Sequence, residues 1–148
     1  MHLTRKTALK IARFTDQGKY SEIVRILEKF PSDKKGSWGH FAQKLIPFLL
    51  DRDLPAPFII FTKGNSKLPF YSFSNLPIVN CPGKGSCAKW CYSLKAWRFP
   101  VGFFRQVQNT ILVRERSKQL QDAWKNLPVN RDVRLYVDGD FDLSLIHI

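Results

Sequence analysis

Hydrophobic positions in the first third of the chain recur at the spacing of amphipathic helices. Apolar residues at intervals of three to four predict helices over residues 4–15 and 20–30, and a third helix that begins after Ser37. Pro31 ends the second helix, and the Ser37 hydroxyl is suited to cap the third. Pro47 is expected to kink or shorten that third helix. No chemical motif occurs here, so residues 1–53 are interpreted as a helical N-terminal segment that serves as scaffold.

The pattern then changes to short runs of β-prone residues with one long helix between them. The predicted strands are residues 58–61, 68–74, 76–79 and 133–137. The predicted helix runs from Pro100 to about Asn126, with the proline in the first turn. A strand, a helix and a strand in this order favour a βαβ-type unit with parallel strands. We therefore expect an α/β fold: a helical N-terminal segment, then the start of a βαβ-type domain or partial β/α barrel over residues 54–142.

Length and composition indicate one folded domain or part of one. The chain has 148 residues, of which 44% are hydrophobic. No run of about 18 apolar residues occurs, so no transmembrane helix and no membrane partner are predicted. The N-terminus lacks the apolar core of a secretory signal. Together with reduced thiols, this predicts a cytoplasmic protein.

The distribution of charge along the chain says more about the expected partners than the net charge of +12 does. Residues 54–114 contain no Asp or Glu but eight cations. Such a zone predicts a positive surface that attracts anions: a nucleic-acid backbone, a nucleotide-like cofactor or another anionic substrate. A basic solvated face kept for solubility is the alternative.

All three cysteines of the chain fall within eleven positions of this zone. They are Cys81, Cys87 and Cys91. Three converging thiolates bind zinc or an iron–sulfur cluster well, and three protein ligands leave one position open for a substrate or cofactor. Alternatively, the thiols are small buried hydrophobic groups. A disulfide is less consistent with an odd cysteine count.

Five cations around the cysteines are the candidate contacts for an anionic substrate or a nucleic acid. They are Lys84, Lys89, Lys95, Arg98 and Arg105. Trp97 and Phe99 are interleaved with them and could stack on bases. Aromatic residues at a loop-to-helix junction are also typical of a packed core, and both interpretations remain open.

An acidic tip follows the last predicted strand. It includes Asp138, Gly139 and Asp140. Functional groups of parallel sheets gather beyond the carboxyl ends of the strands, so this tip and the cysteine loop are expected at the same edge. A solvated turn is the alternative for the aspartates.

The last six residues resemble a translated transposon-end sequencing adapter. We interpret residues 143–148 as an artefact of that kind and expect the native protein to continue after about Asp142. A fourth metal ligand or a catalytic base is then expected in that continuation.

Several of these motifs together resemble the phage gene product 88 family, a group of phage and mobile-element proteins. The motifs are residues 68–74, the cysteine block at 81–92, the pair Gln108-Asn109 and residues 137–141. The resemblance covers roughly residues 67–142 and implies a phage-type protein in the cytoplasm of a bacterial host.

The cysteine block is also distantly similar to radical S-adenosylmethionine enzymes. In that superfamily three cysteines hold a [4Fe–4S] cluster whose open iron binds the cofactor. By this similarity, Cys81, Cys87 and Cys91 would hold the cluster, and Asp138, Gly139 and Asp140 would bind S-adenosylmethionine. The spacing here is C-x5-C-x3-C, whereas that superfamily uses C-x3-C-x2-C.

Two functions are therefore expected from the sequence. The first is an iron–sulfur protein, in the form of a radical S-adenosylmethionine-like enzyme with an anionic substrate. The alternative is a nucleic-acid-binding protein stabilised by zinc, with His40 or an aspartate as the fourth ligand.

Overall fold

The computed structural model describes residues 2–64, 66–67, 69–81 and 84–136, and all structural statements below concern these residues. The fold is mostly helical, with one small sheet. Its helices are α1 (Arg5–Asp16), α2 (Tyr20–Leu27), α3 (Trp38–Leu50), α4 (Pro100–Glu115) and α5 (Ser117–Lys125). Its strands are β1 (Tyr71–Phe73) and β2 (Val133–Leu135), and two 3₁₀ helices span Ser86–Lys89 and Tyr92–Arg98.

The three N-terminal helices are confirmed, as is the predicted cap of α3. Helix α2, predicted to run to Phe30, ends at Leu27 instead of at Pro31, because the amides of Lys29 and Phe30 bond to carbonyls three positions earlier. The Ser37 hydroxyl accepts a hydrogen bond from the His40 amide, 3.1 Å away, and Thr4 caps α1 in the same way. Pro47 lies inside α3 without ending it, so the predicted shortening does not occur and the helix runs on to Leu50.

The prediction of a single helix over residues 100–126 is wrong, because the chain leaves the helical conformation at Arg116. The backbone angles there are φ −134° and ψ 45°. The Arg116 side chain is buried, donates a hydrogen bond to the Phe48 carbonyl and lies 3.9 Å from the centroid of the Phe48 ring. The break between α4 and α5 thus places a cation against α3.

The two strands pair in parallel, with Tyr71 opposite Val133 and Phe73 opposite Leu135. Both lie inside predicted strands but are shorter, and the left-handed backbone of Tyr136 (φ 55°) follows β2. A mixed α/β fold, dominated by helices, is therefore present.

The strands predicted at residues 58–61 and 76–79 do not form. Polar side chains of α4 take the place of a neighbouring strand: Gln108 bonds both backbone groups of Phe58, and Asn109 donates to the Ile60 carbonyl. Residues 77–80 form a turn instead, because Ile78 adopts a left-handed backbone (φ 71°) that no strand accommodates.

Helix α4 organises the hydrophobic core. It packs against α1, α3, α5 and the second 3₁₀ helix, and its buried apolar side chains join one core cluster with those of the N-terminal helices and β1. Those α4 side chains are Phe103, Phe104, Val107, Ile111, Leu112 and Val113. Because α4 begins directly after the cysteine-bearing residues, this core fixes where those residues emerge on the surface.

Candidate functional site

The three cysteines lie in a chain of short turns before α4. We call residues 81 and 84–99 the cysteine segment. The carbonyls of Cys81, Cys87 and Cys91 accept backbone hydrogen bonds from the residue three positions later, at 3.1, 3.1 and 3.4 Å. Cys81 and Cys91 are half-buried, Cys87 is exposed, and none of the three forms a disulfide bond. Each cysteine therefore starts a tight turn rather than lying within a long helix.

The three thiols fit a metal or cluster by their chemistry but not by their arrangement. Among the described residues, no group of three or more His, Cys, Asp and Glu side chains is placed to hold a metal ion. His40, a candidate fourth ligand, is half-buried in α3 and belongs to no such group. The cofactor-binding residues predicted at Asp138, Gly139 and Asp140 lie outside the described residues.

Four of the five predicted contact cations face the solvent. They are Lys84, Lys89, Lys95 and Arg98. None of these four takes part in the ion pairs found in the described part of the chain. Arg105 differs, because it is half-buried in α4 and its buried Nε has no hydrogen-bond partner there. Burial lowers the pKa of Arg105 from its usual value, which is the expected effect of desolvation on a cation.

The aromatic residues of the cysteine segment divide into core and surface. Trp97 is core: it is 6% exposed, and its Nε1 donates to Gln106 Oε1 at 2.7 Å. Phe99 is 66% exposed, so one of the two predicted stacking residues is at the surface. Trp90 and Tyr92 are 70% and 68% exposed, and the sequence analysis did not single them out. Their position in a basic segment without helical periodicity is the signal that could have identified them.

A cleft of about 500 Å³ lies between the N-terminus of α1 and the cysteine segment. Its lining residues are His2, Leu3, Arg5, Ala8, Trp38, Trp90, Cys91, Leu94, Lys95, Trp97 and Arg98. This lining contains three permanent cations and no carboxylate. The Arg5 Nη2 donates to the Lys89 carbonyl at 3.3 Å and so ties α1 to the cysteine segment. Sequence analysis missed Arg5, because its partner is 84 positions away.

A second cleft, of about 470 Å³, lies beside the sheet and has a different character. Its lining residues are Phe61, Phe73, Leu120, Gln121, Trp124, Lys125 and Leu135. With one cation and no nucleophile or carboxylate in this lining, the second cleft offers little chemistry. The first cleft, in contrast, is lined by three cations and Cys91, and all three cysteines lie in the cysteine segment.

No helix in the described part of the chain is long and apolar enough to cross a membrane. Comparison of the chain with models of known families, with curated proteins and with solved structures finds no match. The resemblance to the gene product 88 family, like that to radical S-adenosylmethionine enzymes, therefore stays a prediction from the sequence.

Proposed function

We propose that the protein binds single-stranded nucleic acid through the cysteine segment. The observation that carries this proposal is the interleaving of three exposed aromatic rings with four exposed cations. The rings belong to Trp90, Tyr92 and Phe99, and the cations to Lys84, Lys89, Lys95 and Arg98. Aromatic rings stack on bases while cations neutralise phosphates, and this combination is typical of single-strand binding surfaces.

The electrostatics favour a polyanion. Residues 54–114 contain no Asp or Glu, and none of these four cations takes part in an ion pair in the described part of the chain. Their charge is therefore available to a partner.

The exposed rings favour a single strand over a duplex. In a duplex the flat faces of the bases are stacked on each other, and only base edges and phosphates are accessible. Rings that are 66–70% exposed can cover the face of an unpaired base and be shielded from water in turn.

The test is fluorescence anisotropy with a labelled oligonucleotide over a range of salt concentrations. If all four cations contact phosphates, the logarithm of the binding constant should fall against log salt with a slope of about −3. Lys89→Ala should weaken binding and reduce that slope by about 0.7. Lys29→Ala, which removes an exposed cation outside the cysteine segment, is the matched control and should leave the slope unchanged. Affinity that is independent of salt would contradict the proposal.

A second candidate function is the metalloprotein predicted from the sequence. The observation that favours it is the position of three cysteines, none of them in a disulfide, at the starts of successive short turns, with Cys81 and Cys91 half-buried. Under this proposal Cys81, Cys87 and Cys91 hold a [4Fe–4S] cluster or, with a fourth ligand, zinc. Because the thiols do not form a coordinating group in the described structure, the turns have to rearrange when the metal binds. In the iron–sulfur form, Asp138, Gly139 and Asp140 would bind S-adenosylmethionine and the substrate would be anionic.

The metal content of anaerobically purified protein tests this candidate. About four irons and four sulfides per chain would support an iron–sulfur protein, and one tightly held zinc without sulfide would support a structural site. Cys81→Ala, Cys87→Ala and Cys91→Ala should each abolish incorporation. Protein without metal, or full metal content in all three variants, would refute it.

The parallel pairing of β1 and β2, with α4 and α5 between them in the chain, supports the further proposal of a βαβ-type sheet or partial β/α barrel. We also propose a phage-type origin, on the resemblance of the cysteine block to the gene product 88 family. A cytoplasmic location in a bacterial host is proposed because cysteines that form no disulfide suit a reducing compartment. Fractionation of host cells that express a tagged protein would test the location, and recovery from the membrane fraction or periplasm would contradict it.

A further inference from the structure

The cleft between α1 and the cysteine segment combines three features of a nucleotide site. Its lining includes the cations Arg5, Lys95 and Arg98 and the exposed ring of Trp90, and it contains no carboxylate. Its volume of about 500 Å³ is within the range of about 300–1,000 Å³ typical of small-molecule sites.

Two buried tryptophans line this cleft and pack against the core. Trp38 and Trp97 are 5% and 6% exposed. Trp97 is held by its hydrogen bond to Gln106 and by an edge-to-face contact with Phe103, with ring centroids 5.1 Å apart. Trp38 packs against the same Phe103 at 6.2 Å. Side chains that are already packed lose little freedom when a ligand binds, which favours affinity.

Arg5 occupies a position that helix stability alone does not favour. It is the first residue of α1, where the helix dipole is positive and an acidic side chain is preferred, and the first turn contains no acidic residue. Arg5 nevertheless donates to the Lys89 carbonyl across from α1 and lines the cleft, so its charge lies in the same lining as those of Lys95 and Arg98.

We propose that this cleft binds one nucleotide of the bound strand, with the phosphate against Arg5, Lys95 and Arg98 and the base against Trp90. The inference rests on the proposed nucleic-acid binding and adds a specific subsite to it. The lining brings three cations together with the exposed ring of Trp90, and a nucleotide likewise combines a charged phosphate with a flat base.

The first experiment titrates the full chain with adenosine 5′-monophosphate, adenosine and inorganic phosphate, with tryptophan fluorescence as the readout. The monophosphate should quench the fluorescence and bind more tightly than either part alone. It should also slow alkylation of Cys91 in the cleft, while the exposed Cys87 keeps its rate. Phosphate that binds as tightly as the monophosphate would overturn the base contact.

The second experiment compares Arg5→Ala with Lys6→Ala. Both residues are exposed cations in the first turn of α1, but only Arg5 lines the cleft. Arg5→Ala should weaken binding of the monophosphate by about tenfold or more, as expected for loss of a charge-assisted hydrogen bond, and Lys6→Ala should have little effect. Trp90→Leu should remove most of the quenching.

The outcomes separate this subsite from the proposed function. If the oligonucleotide binds with the expected salt slope but the monophosphate does not bind, the subsite is refuted and nucleic-acid binding stands. The same conclusion follows if Arg5→Ala and Lys6→Ala behave alike. If neither the oligonucleotide nor the monophosphate binds, both are refuted.

Discussion

Substitution of Gln108 is expected to destabilise the fold more than substitution of most other polar residues. Gln108 is fully buried in α4, and its side-chain amide makes the hydrogen bonds to the Phe58 backbone that a neighbouring strand would otherwise make. Its Oε1 accepts from the Phe58 amide at 2.7 Å, and its Nε2 donates to the Phe58 carbonyl at 3.0 Å. The substitution Gln108→Leu keeps a side chain of similar size but removes both of these hydrogen bonds, together with the one that Nε2 donates to Asn109 Oδ1 at 3.2 Å.

The magnitude follows from the two backbone groups left without partners. A buried amide or carbonyl without a hydrogen bond costs about 2 kcal/mol, so the pair costs about 4 kcal/mol. The more apolar leucine side chain offsets about 1 kcal/mol of this through its burial. The net loss of about 3 kcal/mol is a large share of a total stability of about 5–15 kcal/mol, and corresponds to a fall in Tm of roughly 10 °C.

Urea unfolding followed by circular dichroism is the assay. Gln108→Leu should move the midpoint to a lower urea concentration without changing the slope, since the surface exposed on unfolding stays similar. Gln121→Leu is the matched control: Gln121 is half-buried on α5, and its replacement should change stability by less than about 0.5 kcal/mol. An unchanged midpoint for Gln108→Leu would refute the assigned role of this amide, because it would show that Phe58 finds other partners.

Three further predictions concern packing and ionisation. Gly39→Ala should destabilise the fold although alanine favours helices by about 1 kcal/mol, because its Cβ would overlap the Pro31 carbonyl; a raised Tm would contradict the close approach. Arg116→Ala should lower the free energy of unfolding, measured in urea, by about 2 kcal/mol, whereas Arg116→Met should lower it by about 1 kcal/mol or less. Methionine fills the space beside Phe48 and removes the two buried arginine nitrogens, Nε and Nη1, that have no hydrogen-bond partners. Equal losses for the two variants would contradict this. Burial, and then the hydrogen bond with Glu115, raise the pKa of Tyr20 above its usual 10.0. The stability from this shift is fully present below about pH 10 and is lost as the pH rises further, so Tyr20→Phe should make the urea midpoint fall less between about pH 9 and pH 11; parallel pH curves would contradict it.

Features that depend on near neighbours could be predicted from the sequence. The apolar periodicity predicted α1, α2 and α3, and Ser37 was predicted to cap α3, because helix formation and capping involve residues three to four positions apart. The carboxylate-free zone likewise predicted exposed cations, and four of the five candidates face the solvent. A zone without acidic residues can form ion pairs only with carboxylates elsewhere in the chain, as Arg114 does with Asp16.

Which polar groups are buried and which distant segments meet depends on the packing of the whole chain. Gln108, Asn109 and Thr110 are three consecutive buried polar residues, and each has a hydrogen-bond partner 30 to 50 positions away. No helical pattern predicts such a run, and the same contacts explain why residues 58–61 form no strand.

The candidate site shows the same division. The sequence placed the cysteines and most of the cations in one segment, but it could not place Arg5 beside that segment. It also did not predict that Trp97 is buried while Trp90 is exposed. Local patterns describe the preferences of a few successive residues, whereas the cleft forms only when α1 and the cysteine segment pack around the core centred on α4.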